Sequence, residues 1–208
     1  MQIRQRTTML PMTPKPKVAA ELIETPRLLL QASDPAMSRD ALAFVARNMA
    51  HFAPWDPPAP EGFFTVRGQR DRLLKSRRAF AAGDSFRYWL RVKDDGTRIV
   101  GQVHVSSVSR GVFHSAMLGY QLDQGLQGSG LMNEALRALI AEMFSERVRL
   151  HRLQAAHMPE NLRSAAVLAR LGFRSEGLAR NYLYINGQWR DHMINALLNP
   201  KFEGAPAY

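Results

Sequence analysis

The spacing of apolar residues changes several times along the chain, and each change marks an element. From Leu131 to Phe144 it is helical. Leu131, Ala135, Leu139 and Met143 fall on one side, with Met132, Leu136, Ile140 and Phe144 beside them, giving a broad apolar face. From Ile99 to Val108 it alternates: Ile99, Gly101, Val103 and Val105 share one side, Gln102, His104 and Ser106 the other, as in a strand. Phe86–Val92 and His114–Leu122 read as its neighbours, joined through turns at Asp94-Asp95-Gly96 and Ser109-Arg110-Gly111. Upstream, a strand is expected at Glu24–Leu30, a helix from Ser38 to Met49, and a basic helix from Phe63 to Ala82 stopped by Gly83. Downstream come a short strand at Leu153–His157 and a helix from Ala165 to Leu171, opened at Asn161 and stopped by Gly172. Phe173–Tyr184 and Gln188–Leu198 close the chain as a hairpin about Asn186-Gly187. The order βαα, three antiparallel strands, α, β, α and two strands is that of one α/β chain without internal repeats.

Composition narrows the picture. The 208 residues, 46% hydrophobic, suit a single domain at about 21–200 with a substantial core. Residues 1–20 hold three prolines and no acid and are expected to be a flexible arm, with 201–208 a short tail. The absence of cysteine excludes disulfides, thiolate metal sites and cysteine nucleophiles. The six histidines have no metal-ligand spacing, so no metal is expected. No apolar run is long enough for a bilayer and no signal-type segment opens the chain, so a cytoplasmic protein without a membrane partner is expected. The net charge of +10 suits polyanions: a phosphate-bearing cofactor, nucleic acid or a nucleoprotein particle. No compact Lys/Arg block with interleaved aromatics occurs, so sequence-specific nucleic-acid binding is not expected.

The chemistry concentrates where the strand ending at Leu122 meets the long helix. Gly125, Gly128 and Gly130 punctuate the loop between them. Backbone N–H groups at the start of such a helix favour an anion, usually phosphate. A Walker loop needs a Lys-Ser/Thr that is missing. A Rossmann turn needs an early βαβ unit and an acidic residue about twenty positions on, also missing. Two readings remain: an ordinary glycine turn before a core helix, or the pyrophosphate loop of an acetyl-CoA-dependent acyltransferase.

Gln127-Gly128-Ser129-Gly130-Leu131 followed by Glu134-Ala135 resembles the acetyl-CoA loop of the GNAT N-acetyltransferases, and the element order matches theirs over residues 22–200. Further segments sharpen the likeness: Thr25-Pro26-Arg27-Leu28-Leu29-Leu30, His51-Phe52 leading into Pro54-Trp55, Ser109-Arg110-Gly111-Val112-Phe113-His114, and Asn186-Gly187-Gln188-Trp189-Arg190-Asp191-His192. Together they are similar to the RimJ type of ribosomal-protein-alanine N-acetyltransferases. The resemblance implies an α/β (α+β) GNAT fold, a mixed, mostly antiparallel twisted sheet with flanking helices. It also implies transfer of acetyl from acetyl-CoA to the N-terminal alanine of ribosomal protein S5, met free or within the small subunit.

Carried onto this sequence, the resemblance gives Leu122, Gln127, Gly128, Ser129, Gly130, Leu131 and Asn161 to the cofactor. It gives Ser164 the role of assisting the departing thiolate, and Tyr184 is a candidate proton relay. Trp55, His104, Tyr120 and Tyr182 are candidates for lining the amine site. Each has an ordinary reading too: Asn161 is a good helix cap, Trp55 a residue folded onto the core, and the tyrosines half-buried strand positions. Two departures stand out. Gly125 sits where the superfamily loop begins with Gln or Arg, and Leu183 where RimL-type enzymes carry a glutamate base, so no general-base carboxylate is assigned. An α-amine, with a pKa of about 7.7–8.0, needs less help to deprotonate than a lysine at about 10.4. The alternatives are an acetyltransferase for small amines and a non-catalytic ribosome-binding module.

Overall fold

A computed structural model describes residues 18–96 and 98–203. Its strands are β1 (Leu22–Glu24), β2 (Leu28–Ala32), β3 (Phe86–Val92), β4 (Ile99–Ser109), β5 (Ser115–Leu122), β6 (Arg152–His157), β7 (Arg174–Ile185) and β8 (Gln188–Leu198). Its helices are α1 (Ser38–Arg47), α2 (Met49–Phe52), α3 (Val66–Ala82), α4 (Leu131–Phe144) and α5 (Leu162–Arg170). The strands form one 8-stranded sheet in the order β1-β2-β3-β4-β5-β6-β8-β7. Every neighbouring pair is antiparallel except β5 and β6. This is the mixed, mostly antiparallel sheet with flanking helices that the element order led us to expect.

The single strand expected at Glu24–Leu30 is instead a tight hairpin. Pro26 cannot donate to a ladder. The chain folds back at Thr25, whose N–H donates to the Leu28 carbonyl and whose hydroxyl accepts from the Leu28 N–H at 2.9 Å. Helix α3 starts later than the periodicity suggested because Thr65 caps it, its hydroxyl accepting from the Gly68 N–H at 3.0 Å. The helix stops at Gly83, whose φ of 76° few side chains tolerate.

Two apolar layers enclose the sheet. On one face, α4 and α5 pack Leu131, Leu136, Leu139, Met143 and Leu168 against Tyr88, Val103, Leu118 and Leu122. On the other, Phe44, Phe52 and Leu73 surround Trp89, with the Phe44 and Trp89 rings edge to face at 6.2 Å. Residues 1–17 and 204–208 lie outside the described residues. Within the expected arm and tail, Val18–Ala20 and Phe202 are packed. Ala19 is buried, the Ala20 N–H donates to Glu142 at 2.7 Å, and the Phe202 ring lies near His114 and His151.

One feature of the sheet positions the site. The parallel ladder between β5 and β6 runs from Ser115↔Arg152 to Leu118↔Ala155 and ends there. Beyond it, Gly119–Leu122 stay paired with β4, while Ala156 and His157 pair with β8. Each strand follows its other neighbour, so the two part in the middle of the sheet.

Candidate active site

A cavity of about 810 Å³ opens at this parting. Its walls include Leu118, Gly119, Tyr120 and Gln121 from β5 and Ala156, His157 and Met158 from the end of β6. The loop after α2 roofs it with Trp55, Asp56 and Pro57–Pro60, and the final hairpin closes it with Leu183, Ile185 and His192. The strand segment Gly119–Leu122 has lost its β6 partner, so its backbone groups on that side are available to an incoming extended chain.

On the α5 side, Tyr120 and Ser164 form a hydroxyl pair, Oη to Oγ 2.7 Å, and the tyrosine hydroxyl also lies 3.2 Å from the Ser164 carbonyl. Burial pushes the Tyr120 phenol up to about 12, although its bond to Ser164 pulls the other way, so it keeps its proton at any physiological pH. Asn161 caps α5, its side-chain oxygen accepting from the Ser164 N–H at 3.0 Å. The cap thereby fixes Ser164 beneath Tyr120, and all three residues line the cavity.

The glycine loop lies beyond the cavity wall, at the start of α4. Gly128 and Gly130 have φ of 77° and 79°, a region that favours glycine, and a Cβ on Gly128 would meet nothing within 4 Å. Gly130 is the N-cap, and no side chain caps the helix. Its first N–H groups therefore have no side-chain partner, and Leu131 turns inward to the core. The loop is braced from three sides. Gln127 meets the His51 ring nitrogen at 2.6 Å, the Ser129 hydroxyl donates to the Leu126 carbonyl, and Arg27 donates to the Ser129 carbonyl at 3.0 Å. Glu134, one turn into α4, accepts from the Thr25 hydroxyl at 2.6 Å and from the Arg27 N–H and guanidinium at 2.9 and 2.6 Å. Partial burial raises the Glu134 carboxyl, but those bonds outweigh it and hold the group below the usual carboxylate range.

The opposite face carries a different kind of chemistry. Residues facing each other across the strands share a face. One row is Trp89, Gln102 and Gln121; the next is Arg87, His104 and Gly119. Gln121 donates to Asp56 and accepts from Gln102, whose oxygen accepts from Arg72 and Arg87. Arg87 also donates to His104 Nδ1 at 2.7 Å. A guanidinium only donates, so Nδ1 is the acceptor and Nε2–H donates to Ser85 Oγ at 2.7 Å. Burial, then Arg87 and Arg72, bring the His104 imidazole down to about 3, so it is neutral with its lone pair occupied. Burial likewise lowers Arg72 to about 10 and Arg87 to about 9; both stay cationic at neutral pH. Asp56 moves the other way, its carboxyl pushed up to about 6 by burial against the downward pull of Gln121 and Arg72.

Of the residues singled out in the sequence, the cavity brings together Trp55, His104, Tyr120, Asn161 and Ser164. Gln127, Gly128, Ser129, Gly130 and Leu131 lie in and at the end of the braced loop. Leu122 is on the unpaired strand segment with its side chain in the core. Tyr184 and Tyr182 are not among the residues that line the cavity. Strand alternation turns Leu183 and Ile185 into the cavity, and with them the parity that would have admitted Tyr184 is lost. Tyr184 is 45% exposed against Trp189, and Tyr182 packs on His192 without lining the cavity. Asp56, Arg72, Arg87 and Gln121 escaped notice in the sequence. The one signal was the polar alternation at Gln102 and His104 on a strand with apolar residues on its other side.

A parallel pair parting in the middle of a mixed sheet, with a glycine loop and helix start beside the gap, defines an acyl-CoA-type transferase site. The Acetyltransferase (GNAT) domain family matches residues 27–174, and the chain belongs to that family. It is an acetyltransferase. It is 41% identical over 157 residues to the [ribosomal protein uS5]-alanine N-acetyltransferase of Escherichia coli, covering 76% of this chain and 80% of that enzyme. The crystal structure of the ribosomal-protein-S5-alanine acetyltransferase from Vibrio fischeri superposes with a TM-score of 0.83 at 35% identity, covering 88% of this chain and 99% of that one. Mycobacterium smegmatis RimJ in complex with CoA-disulfide gives 0.78 at 27% identity, covering 86% and 85%. Among the described residues no group of three or more His, Asp or Glu is placed to hold a metal, and no helix is long and apolar enough to cross a membrane.

Proposed function

We propose that this acetyltransferase moves the acetyl group of acetyl-CoA to the α-amine of a protein N-terminus, with the N-terminal alanine of ribosomal protein uS5 as acceptor. The observation that carries the reading is the parting of β5 and β6 into a cavity with separate polar equipment on its two faces. The names of the relatives from Escherichia coli and Vibrio fischeri support the choice of acceptor. The net charge of +10 suits an acceptor offered near ribosomal RNA in the small subunit, although Arg72 and Arg87 place part of that charge inside the cavity wall.

The residues present fit acetyl-CoA. Gly128 and Gly130 leave backbone N–H groups uncovered at a helix start, where the pyrophosphate would be held. Gly119–Leu122 offer a strand edge to the pantetheine arm, and Asn161 lines the same cavity. The bound thioester would supply the activated acetyl group. Backbone N–H groups of the unpaired β5 segment would polarise its carbonyl, and the Tyr120–Ser164 hydroxyl pair would hydrogen-bond the leaving sulfur. With its phenol at about 12 against about 8.5 for an ordinary thiol, Tyr120 stabilises a thiolate by donating a hydrogen bond, while outright loss of its proton is uphill. Trp55 and the proline-rich loop hold the first residues of the acceptor.

Purified protein is offered acetyl-CoA with a uS5 N-terminal peptide, the same peptide with its α-amine blocked, and a panel of small amines. Transfer to the free peptide alone is expected. Equal activity on the blocked peptide, or activity only on small amines, overturns this acceptor.

A further inference from the structure

We propose that Asp56 is the base that takes the proton from the acceptor's ammonium group, a role deepening the α-amine reading above and resting on it. The RimL-type glutamate position is Leu183 here, and Leu183 lines the cavity as an apolar wall. Asp56 is the one carboxylate among the residues lining the cavity, and it enters from the loop after α2, a different side of the site from the final hairpin. Its place is fixed by the Gln121 amide, which donates to it from the β5 segment that has lost its β6 partner. One side chain thus separates the carboxylate from the strand that borders the gap.

The surroundings suit proton uptake. Lining the same cavity are Arg72 from α3, which acts on Asp56, Arg87 from β3 and neutral His104 from β4, so the wall carries two cations to one anion. That excess disfavours an ammonium group bound beside it. The Asp56 carboxyl, raised from 3.8 to about 6, remains mostly ionised at neutral pH. It is also a stronger proton acceptor than an ordinary aspartate, improving the transfer equilibrium from an α-amine by about a hundredfold. The balance is simple. Asp56 accepts one proton from R–NH3+, the freed lone pair forms the C–N bond as the C–S bond breaks, and the second amine proton ends on the sulfur. Asp56 then returns its proton to solvent.

His157 and His192 also line the cavity and are rival bases, each with Nδ1 beside a backbone carbonyl and Nε2 left over. Three measurements separate them. First, the Asp56 carboxyl carbon of the unliganded protein is followed by NMR; titration near 6 is expected, and titration near the ordinary 3.9 overturns the proposal. Second, Asp56→Asn, which can still accept the Gln121 bond, is expected to lower kcat about a hundredfold to a thousandfold and to abolish the fall of kcat below about pH 6. His157→Gln and His192→Gln are expected to keep that fall, and its loss in either one alone overturns the proposal. Third, a peptide whose N-terminal amine is replaced by a weakly basic hydrazide, already neutral at assay pH, is expected to be used nearly equally by Asp56→Asn and the parent. An equal loss on both acceptors makes Asp56 a structural residue. Should the parent refuse every peptide yet acetylate small amines, the acceptor reading fails while the same comparisons, run on that amine, still judge Asp56.

Discussion

The two faces of β5 do their work with different materials. Toward α4 and α5, the site is mostly backbone: an unpaired strand edge, a glycine loop in left-handed conformation, an uncapped helix start, and one hydroxyl pair. Toward α1–α3, it is all side chains, with the loop after α2, α3, β3, β4 and β5 giving one member each to the chain Asp56, Arg72, Arg87, Gln102 and Gln121. A cosubstrate that never changes can be read by backbone, which asks for a left-handed conformation at a few places and is indifferent elsewhere. An acceptor that differs between related enzymes is read by side chains, which substitution can retune without disturbing the fold.

That contrast can be broken by changes confined to one face. The largest effect is expected from Gly128→Val, since φ of 77° at this position penalises a branched residue. CoA at a hundredfold excess over Kd should stabilise the parent by about 2.7 kcal/mol, read as a rise in Tm. The variant should show none of it while keeping its circular dichroism; an undiminished rise removes the loop from the cofactor site. Next, Ser164→Ala should lower kcat tenfold to a thousandfold, by about 1.4–4 kcal/mol, with a smaller change in KM for acetyl-CoA. If only thermal stability falls, by about 1 kcal/mol, Ser164 is merely part of a helix start. Trp55→Ala tests the other face: KM for the peptide should rise about tenfold with the CoA-induced Tm shift intact, and a lost shift would mean the two faces are not separable.

Two smaller effects concern acid. His104 is held near 3 in the fold against 6.5 when free, so between those values the unfolded chain binds more protons and stability falls as pH drops. His104→Gln should flatten Tm against pH in that window. Glu134 is depressed in the fold, so its contribution is complete at neutral pH and is lost as pH falls through its lowered pKa. Glu134→Gln should cost about 1 kcal/mol or less at pH 7 and nothing once the parent carboxyl is protonated. A constant difference between the two at all pH values would make the Thr25–Arg27–Glu134 contact a matter of shape alone.

The same contrast decides what could be read from the sequence. The loop face was legible because its parts are contiguous: strand, glycines and amphipathic helix follow one another within Leu118–Glu146. The closing hairpin was legible from Asn186-Gly187, but the parity of β7, which turns Leu183 and Ile185 rather than Tyr184 to the cavity, was not. Register shifts between Ser175 and Gly177 and between Ala179 and Leu183 put its phase beyond simple counting. The face toward α1–α3 was hidden for a related reason. Nothing in Asp56-Pro57-Pro58 says that this aspartate will meet Gln121, because the two are 65 positions apart and their meeting depends on the path of a proline-rich loop. The Thr25-Pro26-Arg27 segment stood out as a family likeness without a reason. Its reason is the clasp on Glu134, 107 residues or more away in the chain.

The docking of Val18–Ala20 bears on how the protein can be handled. Ala20 is tied to Glu142, near the end of α4 remote from Gly130. At 1.5 Å per residue, that is about 17 Å along the helix from Leu131, where the glycine loop ends. An affinity handle or fluorescent domain fused ahead of residue 18 would therefore join the body behind the loop, leaving the mouth between β5 and β6 clear. Fusion at the opposite terminus would follow Phe202, whose ring already fills the space near His114 and His151. A handle there would need a spacer beginning after that ring.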